Sequence, residues 1–184
     1  MLVEPTNIPE VKRIVPRRFG DDRGYFVEVF NQRAWADAGI EFQPIQENQS
    51  LSRIVGTVRG LHFQRPPAAQ AKVVRVLKGR IYDVAVDIRM GSKTYGHWVA
   101  TELSSEGGEQ LYIPRGFAHG FCTLEADSEI AYLVDDVYAP ECDGSIHWSD
   151  PALGIRWPDL AGTVISDKDA KAPRLADIPA PFPA

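Results

Sequence analysis

From Val73 to Tyr138 the chain runs in short stretches rich in Val, Ile, Tyr and Thr, each broken by Gly, Pro or Ser. That spacing predicts an antiparallel all-β sandwich or barrel. Val73 to Leu77, Lys78-Gly79 and Ile81 to Ile88 read as a hairpin, with Gly79 free to take a positive φ in the turn. In its second strand Asp83, Ala85 and Asp87 share one face, while Tyr82, Val84, Val86 and Ile88 share the other. Carboxylates repeated on one face indicate a polar cavity or solvent. Further strands are expected over His97–Leu103, Gln110–Ile113, Gly120–Leu124 and Glu129–Val134. Helix is scarce, the clearest case being Gln32 to Ala38 with Asn31 as N-cap and Gly39 as its stop. After Pro151 the pattern becomes Pro-rich and less periodic, as expected of a segment packed over a barrel. Neither repeat nor linker interrupts the chain, so one domain over residues 1–184 is expected.

Composition adds limits rather than a fold. With 184 residues, 44% hydrophobic and 24% charged, the chain is long enough to bury a core without disulfides or structural metal. Met1 to Arg13 carries acids and prolines where a secretory signal would need a basic head and an apolar run, and no later stretch approaches a membrane span. Cys122 and Cys142 form no CxxC pair, so reduced thiols and a cytoplasmic location are expected. A net charge of -5 argues against a general nucleic-acid binder. An anionic small substrate would need a local cluster of arginines.

Four stretches carry candidate chemistry. In GTVRGLHFQRPPAAQ (Gly56 to Gln70) and the nearby Lys72, Arg59 offers a planar fork suited to a diphosphate, His62 a base near neutral pH, and Lys72 a cation for a developing oxyanion. On local spacing alone, the better reading is that Arg59 and Lys72 are solvated strand-edge charges and His62 a satisfied core histidine. In QLYIPRGFAHGF (Gln110 to Phe121), Pro114, Gly116 and His119 follow the PxGxxH spacing of the second cupin motif. A cupin metal site also needs an HxH pair and a carboxylate. Here Gln64 follows His62, and Lys72 falls where the carboxylate is wanted; an ammonium has no lone pair to donate, so no metal is expected. His119 reads either as a turn residue or as a hydrogen-bond donor to substrate oriented by Asp83. In EIAYLVDDVYAPECD, Tyr132 alternates with Ile130 and Val134 as a core aromatic would, and Tyr138 could stack or merely pack. In SDKD, Asp169 has the chemistry to hold a ring nitrogen of His62.

Taken in order, these motifs resemble the dTDP-4-dehydrorhamnose 3,5-epimerase family. The likeness spans nearly the whole chain: FGDDRGYFVEVF, QENQS, RGLHFQ, QAKVVRVLKG, YDVAVDIR, PRGFAHGF, AYLVDDVYAPE, WSDP and SDKD. It implies a homodimeric, cupin-type jelly-roll barrel without cofactor or metal, acting on a dTDP-4-keto-6-deoxyhexose. By the same resemblance His62, paired with Asp169, removes protons at C3 and C5, Lys72 stabilises the enolate, and Tyr132 returns a proton from the opposite face. Binding roles fall on Arg23, Phe26, Glu28, Gln46, Asn48, Arg59, Asp83, His119, Tyr138, Asp143 and Lys168, with Arg23 and Glu28 supplied by the partner subunit. Two departures are Leu133, where the family often has lysine, and a slightly longer segment between Asn48 and Arg59. They keep open a relative that inverts C3 or C5 only. From other classes, a metal-dependent cupin oxygenase or isomerase and a non-catalytic sugar-nucleotide binder remain alternatives. Dehydrogenase chemistry is disfavoured because no GxGxxG follows a strand.

Overall fold

The computed structural model describes residues 1–159 and 162–182. Its strands form two stacked antiparallel sheets, the jelly roll. One sheet has the order β1 (Leu2–Pro5), β2 (Lys12–Val15), β10 (Gln110–Ile113), β7 (Lys72–Lys78), β12 (Ser128–Val134), β5 (Gln46–Ser52). The other runs β13 (Asp143–Ser145), β6 (Val58–Gln64), β11 (Phe117–Thr123), β8 (Arg80–Asp87), β9 (Trp98–Ser104). A separate hairpin, β3 (Arg18–Asp21) with β4 (Gly24–Val27), pairs with neither. Among the described residues no helix is long and apolar enough to cross a membrane.

Three apolar layers hold this arrangement. Between the sheets Val74, Val76 and Ile130 from one meet Ile81, Ala85, Val99, Leu103 and Phe121 from the other. Outside the first sheet, α1 (Gln32–Asp37) lays Trp35 over Ile14, Ala71 and Val73. The Asn31 side chain caps this helix by accepting from Ala34 N at 3.1 Å, and Gly39 follows it at φ +76, as the sequence indicates. Outside the second sheet, Leu153 and Leu175 cover Leu61, Val84, Val86 and Ile88, so the Tyr82-to-Ile88 face is buried. Of the two repeated carboxylates opposite, neither meets solvent. Asp83 is buried beside His119, and Asp87 accepts from Arg89, Ser92 and Thr94 at the strand's end.

One expectation is corrected. Val73–Leu77 and Ile81–Ile88 are not a hairpin: β7 pairs with β10 and β12, whereas β8 pairs with β9 and β11. Gly79 does take a positive φ, +83, but it serves as a corner between sheets. A Cβ at Gly79 would lie 2.5 Å from Ser128 Oγ, so the chain turns tightly against β12. The physical reason is that both strands carry a core face, and Val74 and Val76 bury more apolar surface across the interior from Ile81 and Ala85 than beside them.

Candidate active site

The site is built on a local irregularity in β6. In a regular strand Arg59 and His62, three apart, would point to opposite faces. Against β11, however, Arg59 pairs with Phe121 and His62 with His119, so Gly60 and Leu61 together face Gly120 alone. This bulge turns both Arg59 and His62 into the interior and leaves Leu61 in the outer apolar layer. Glycine is required there. Gly60 lies at φ +134, and a Cβ on it would come 2.5 Å from Gly120 Cα.

Inside, a cavity of about 500 Å³ is lined by Arg59, His62 and His119 from the five-stranded sheet and by Lys72 and Tyr132 from the six-stranded one. Lys168 and Asp169 close one side from α2 (Asp167–Ala170). The Ser166 side chain caps this short helix by accepting from Asp169 N. A second cavity of about 360 Å³ shares His62, Lys72, Tyr132 and Lys168, and adds Gln46, Asn48, Tyr138 and Asp143. Gln46, Asn48 and Ser50 alternate along β5, which is why all three face inward.

The electrostatics distinguish the two walls. His62 Nε2 lies 2.6 Å from Asp169 Oδ1. Burial raises the Asp169 carboxyl, but the His62 bond, the charge of His62 and the Gly60 and Ser166 bonds outweigh it and hold the group below the usual carboxylate range. An ionised carboxylate only accepts, so Nε2 carries a proton toward Asp169, and in the neutral ring the lone pair then lies on Nδ1. His119 Nε2 is similarly engaged by Asp83 Oδ1 at 2.5 Å. Lys72 is buried, and desolvation pushes it down to about 8 despite the nearby charges of Asp143 and Asp83. Tyr132 is pushed up by burial, with Arg59 pulling the other way, so its hydroxyl is protonated at neutral pH. Arg59 donates from Nε to Ser52 Oγ at 3.0 Å and from Nη2 to the Leu51 carbonyl at 3.1 Å, which fixes the guanidinium with three N–H donors unspent among the described residues.

Of the candidates, His62, Lys72, Tyr132, Asp169, Arg59, His119 and Lys168 converge on the first cavity, and Asp83 stands behind His119. Arg23, Phe26 and Glu28 do not join them: they lie on or just after the exposed β3–β4 hairpin, where Arg23 pairs with Asp21 and Phe26 is 70% exposed. Sequence reasoning missed the apolar lining of Val58, Phe121, Val164 and Ile165, and also Ser50 and Thr57. Val58 and Phe121 alternate as any core strand does, and Thr57, Val164 and Ile165 lie outside the strands, where no periodicity marks them. Gln64 has a role no motif revealed: its amide donates to the Ala68 and Val137 carbonyls and accepts from Ala139 N, stitching the loops below β6. Leu133 packs in the outer layer by α1, away from both cavities. The longer segment before Arg59 closes in a turn where Thr57 bonds the Ile54 carbonyl.

A jelly roll with a carboxylate-bound histidine on one wall and a protonated tyrosine and buried lysine on the other has the make-up of a proton-transferring isomerase. Comparison with known proteins narrows this. The sequence model described as dTDP-4-dehydrorhamnose 3,5-epimerase matches residues 5–177. A protein of that name from Sinorhizobium fredii is 51% identical over 186 residues, covering 99% of this chain and 93% of the relative. Among solved structures, a dTDP-6-deoxy-D-glucose-3,5-epimerase from Legionella pneumophila in complex with dTDP-4-keto-L-rhamnose superposes with a TM-score of 0.93 at 45% identity, covering 97% of this chain and 95% of that one. A 3'-monoepimerase from Streptomyces bikiniensis in complex with dTDP-quinovose superposes at 0.87 with 35% identity, covering 94% and 87%. The chain belongs to the dTDP-4-dehydrorhamnose 3,5-epimerase family.

Proposed function

We propose that this protein epimerises C3 and C5 of dTDP-4-dehydro-6-deoxy-D-glucose to give dTDP-4-dehydro-L-rhamnose. The observation that carries the reading is that His62 and Tyr132 stand on different sheets and face one cavity. Inversion needs a proton removed from one face of a carbon and delivered to the other, and a single base would return it to the side it left.

The C4 ketone makes both neighbouring C–H bonds acidic, so the cycle draws on side chains alone. His62 Nδ1 takes the proton from C3 or C5, and the electron pair of that bond moves to the C4 oxygen as an enolate. Asp169 stabilises the resulting imidazolium and keeps its ring in place. Lys72, charged below about pH 8, neutralises the enolate oxygen, while His119, its Nε2 engaged by Asp83, lines the same cavity. The enolate then collapses and takes the Tyr132 proton on the opposite face. Solvent resets the pair for the second centre.

The nucleotide's phosphates suit the unspent Arg59 donors and Lys168, while Gln46, Asn48, Tyr138 and Asp143 line the adjoining space for the base and sugar. Arg23, Phe26 and Glu28 act from a second copy of the chain, so the working form is a homodimer whose hairpins complete each other's sites. Cytoplasm is the compartment that suits two buried free thiols, Cys122 and Cys142.

A second reading, inversion at one carbon only, is favoured by the likeness to the 3'-monoepimerase. Incubation with the 4-keto-6-deoxyglucose nucleotide in deuterated water separates the two by NMR. Label at C3 and C5 with an L-configured product supports the double epimerase, label at one carbon the single one, and label at neither removes the enzyme reading. Tyr132→Phe should still wash label into the substrate while product forms slowly; product at the parental rate would remove Tyr132 as the donor.

A further inference from the structure

The β3–β4 hairpin joins neither sheet, and a two-stranded ribbon alone in water holds no fixed attitude. Its base is nevertheless fastened to its own chain by a built socket. The Arg18 guanidinium donates to the carbonyls of Ser105, at 2.7 Å, and Glu106, both in the turn between β9 and β10. One flat side of the group lies over the Tyr25 ring, 4.4 Å from its centre. Gly108 leaves room for the group, since a Cβ there would stand 2.6 Å from Arg18 Nη2. The turn is itself braced: Glu109 accepts from Ser104 N and Oγ with one oxygen and from Arg13 with the other. At the exit of the hairpin, buried Gln110 donates to the Val29 carbonyl at 2.7 Å. The chain thus spends a partly buried arginine, whose Nε has no partner among the described residues, on the base of an arm whose tip is exposed.

We infer that Arg18 is the positioning residue of this arm, fixing it so that Arg23, Phe26 and Glu28 are presented to the second subunit's cavity already in place. The inference rests on the reading above, in which the arm completes the partner's site. Arg18 touches no reacting atom. Its effect is to remove the ordering cost of the arm from substrate binding, and it therefore acts on KM and leaves kcat alone.

The test uses full-length hybrid dimers, co-expressed with two tags and purified for both. A hybrid of Arg23→Ala with His62→Ala first checks the reading: activity well above either parent means arms act in trans, and none means that reading fails and takes the inference with it. Arg18→Ala is then placed on one subunit at a time, beside His62→Ala. On the inactive subunit, whose arm serves the live site, it should raise KM about tenfold with kcat within about twofold. On the live subunit, whose arm serves the dead site, KM should stay at the unsubstituted hybrid's value. A merely structural role would not produce that asymmetry. Arg18→Lys, which keeps the charge but loses the fork and the flat face, should give a smaller KM rise in the same hybrid and remains readable if Arg18→Ala folds poorly. Equal KM in both placements, with trans activity established, overturns the inference.

Discussion

Replacing Lys72 with methionine should make the protein more stable and nearly inactive. Lys72 is buried at the start of β7, and desolvation brings it from 10.5 to about 8, Asp143 and Asp83 offsetting only part of the loss. A pKa lowered by that interval corresponds to about 3 kcal/mol against the charged form in the folded state. Because the folded value lies below the unfolded one, the penalty is fully present below about pH 8. It fades as pH rises toward 10.5, where the unfolded chain loses its proton too. Methionine fills similar volume without charge, so Lys72→Met should gain stability at pH 7, with about 3 kcal/mol as an upper bound because Asp83 and Asp143 lose a counter-charge. Denaturant midpoints at pH 7 and pH 10 read the first effect, and the gap should narrow at the higher pH. Deuterium wash-in at C3 and C5 reads the second and should fall by about a hundredfold or more, the scale for losing one oxyanion donor. A variant less stable than the parent at pH 7, or one exchanging at the parental rate, would refute the reasoning.

Asp169→Asn should lower kcat by about a hundredfold, because a charge-assisted hydrogen bond of about 2–3 kcal/mol is lost and an amide donating to Nε2 moves the proton to Nδ1, where the base must be free; steady-state rates within threefold of the parent would count against the dyad. Gly60→Ala should cost about 3 kcal/mol in urea unfolding, since φ +134 disfavours a side chain and the Cβ would lie 2.5 Å from Gly120 Cα. Equal midpoints would mean the bulge is not needed. Burial raises the Asp87 carboxyl, but Arg89, Ser92 and Thr94 bring it down to about 2 from 3.8. Its contribution of about 2 kcal/mol is therefore present above about pH 4 and lost as pH falls toward 2. Asp87→Asn should be destabilised at pH 7 and match the parent at pH 2, and a gap that persists in acid would contradict this.

Much of the fold was readable because it rests on local rules. Gln110–Ile113 occurs as expected, and the helix after Asn31 begins and ends on its capping residues. The catalytic candidates were not readable in that way. His62 and Asp169 lie 107 positions apart, and no periodicity links them. Arg59 and His62 have the wrong spacing for one strand face, and the sign of the bulge was a glycine inside a strand run, whose meaning depends on Gly120 in another strand. Only the order of many motifs, each ambiguous alone, brought these residues together. Lys72 shows the same limit in reverse. Its charge suggested a solvated edge, yet strand alternation sets it inward, and its burial follows from β12 and β10 closing over both sides.

The misread hairpin bears directly on the chemistry. Had β7 turned back on β8 in one sheet, β12, β7, β8, β11 and β6 would form a continuous surface, with Tyr132 and His62 on a single wall. A proton taken by the base and one given by the tyrosine would then meet the sugar from the same side, and configuration would be retained. The corner at Gly79 instead folds that surface on itself, so the strands carrying Tyr132 and Lys72 look across at those carrying His62 and His119. On the proposed mechanism, two-sided proton transfer is thus a property of the sheet switch as much as of the residues. A corner that cannot close, as when a side chain at Gly79 meets Ser128 Oγ at 2.5 Å, should impair inversion through the distance between the walls, with His62 and Tyr132 themselves untouched.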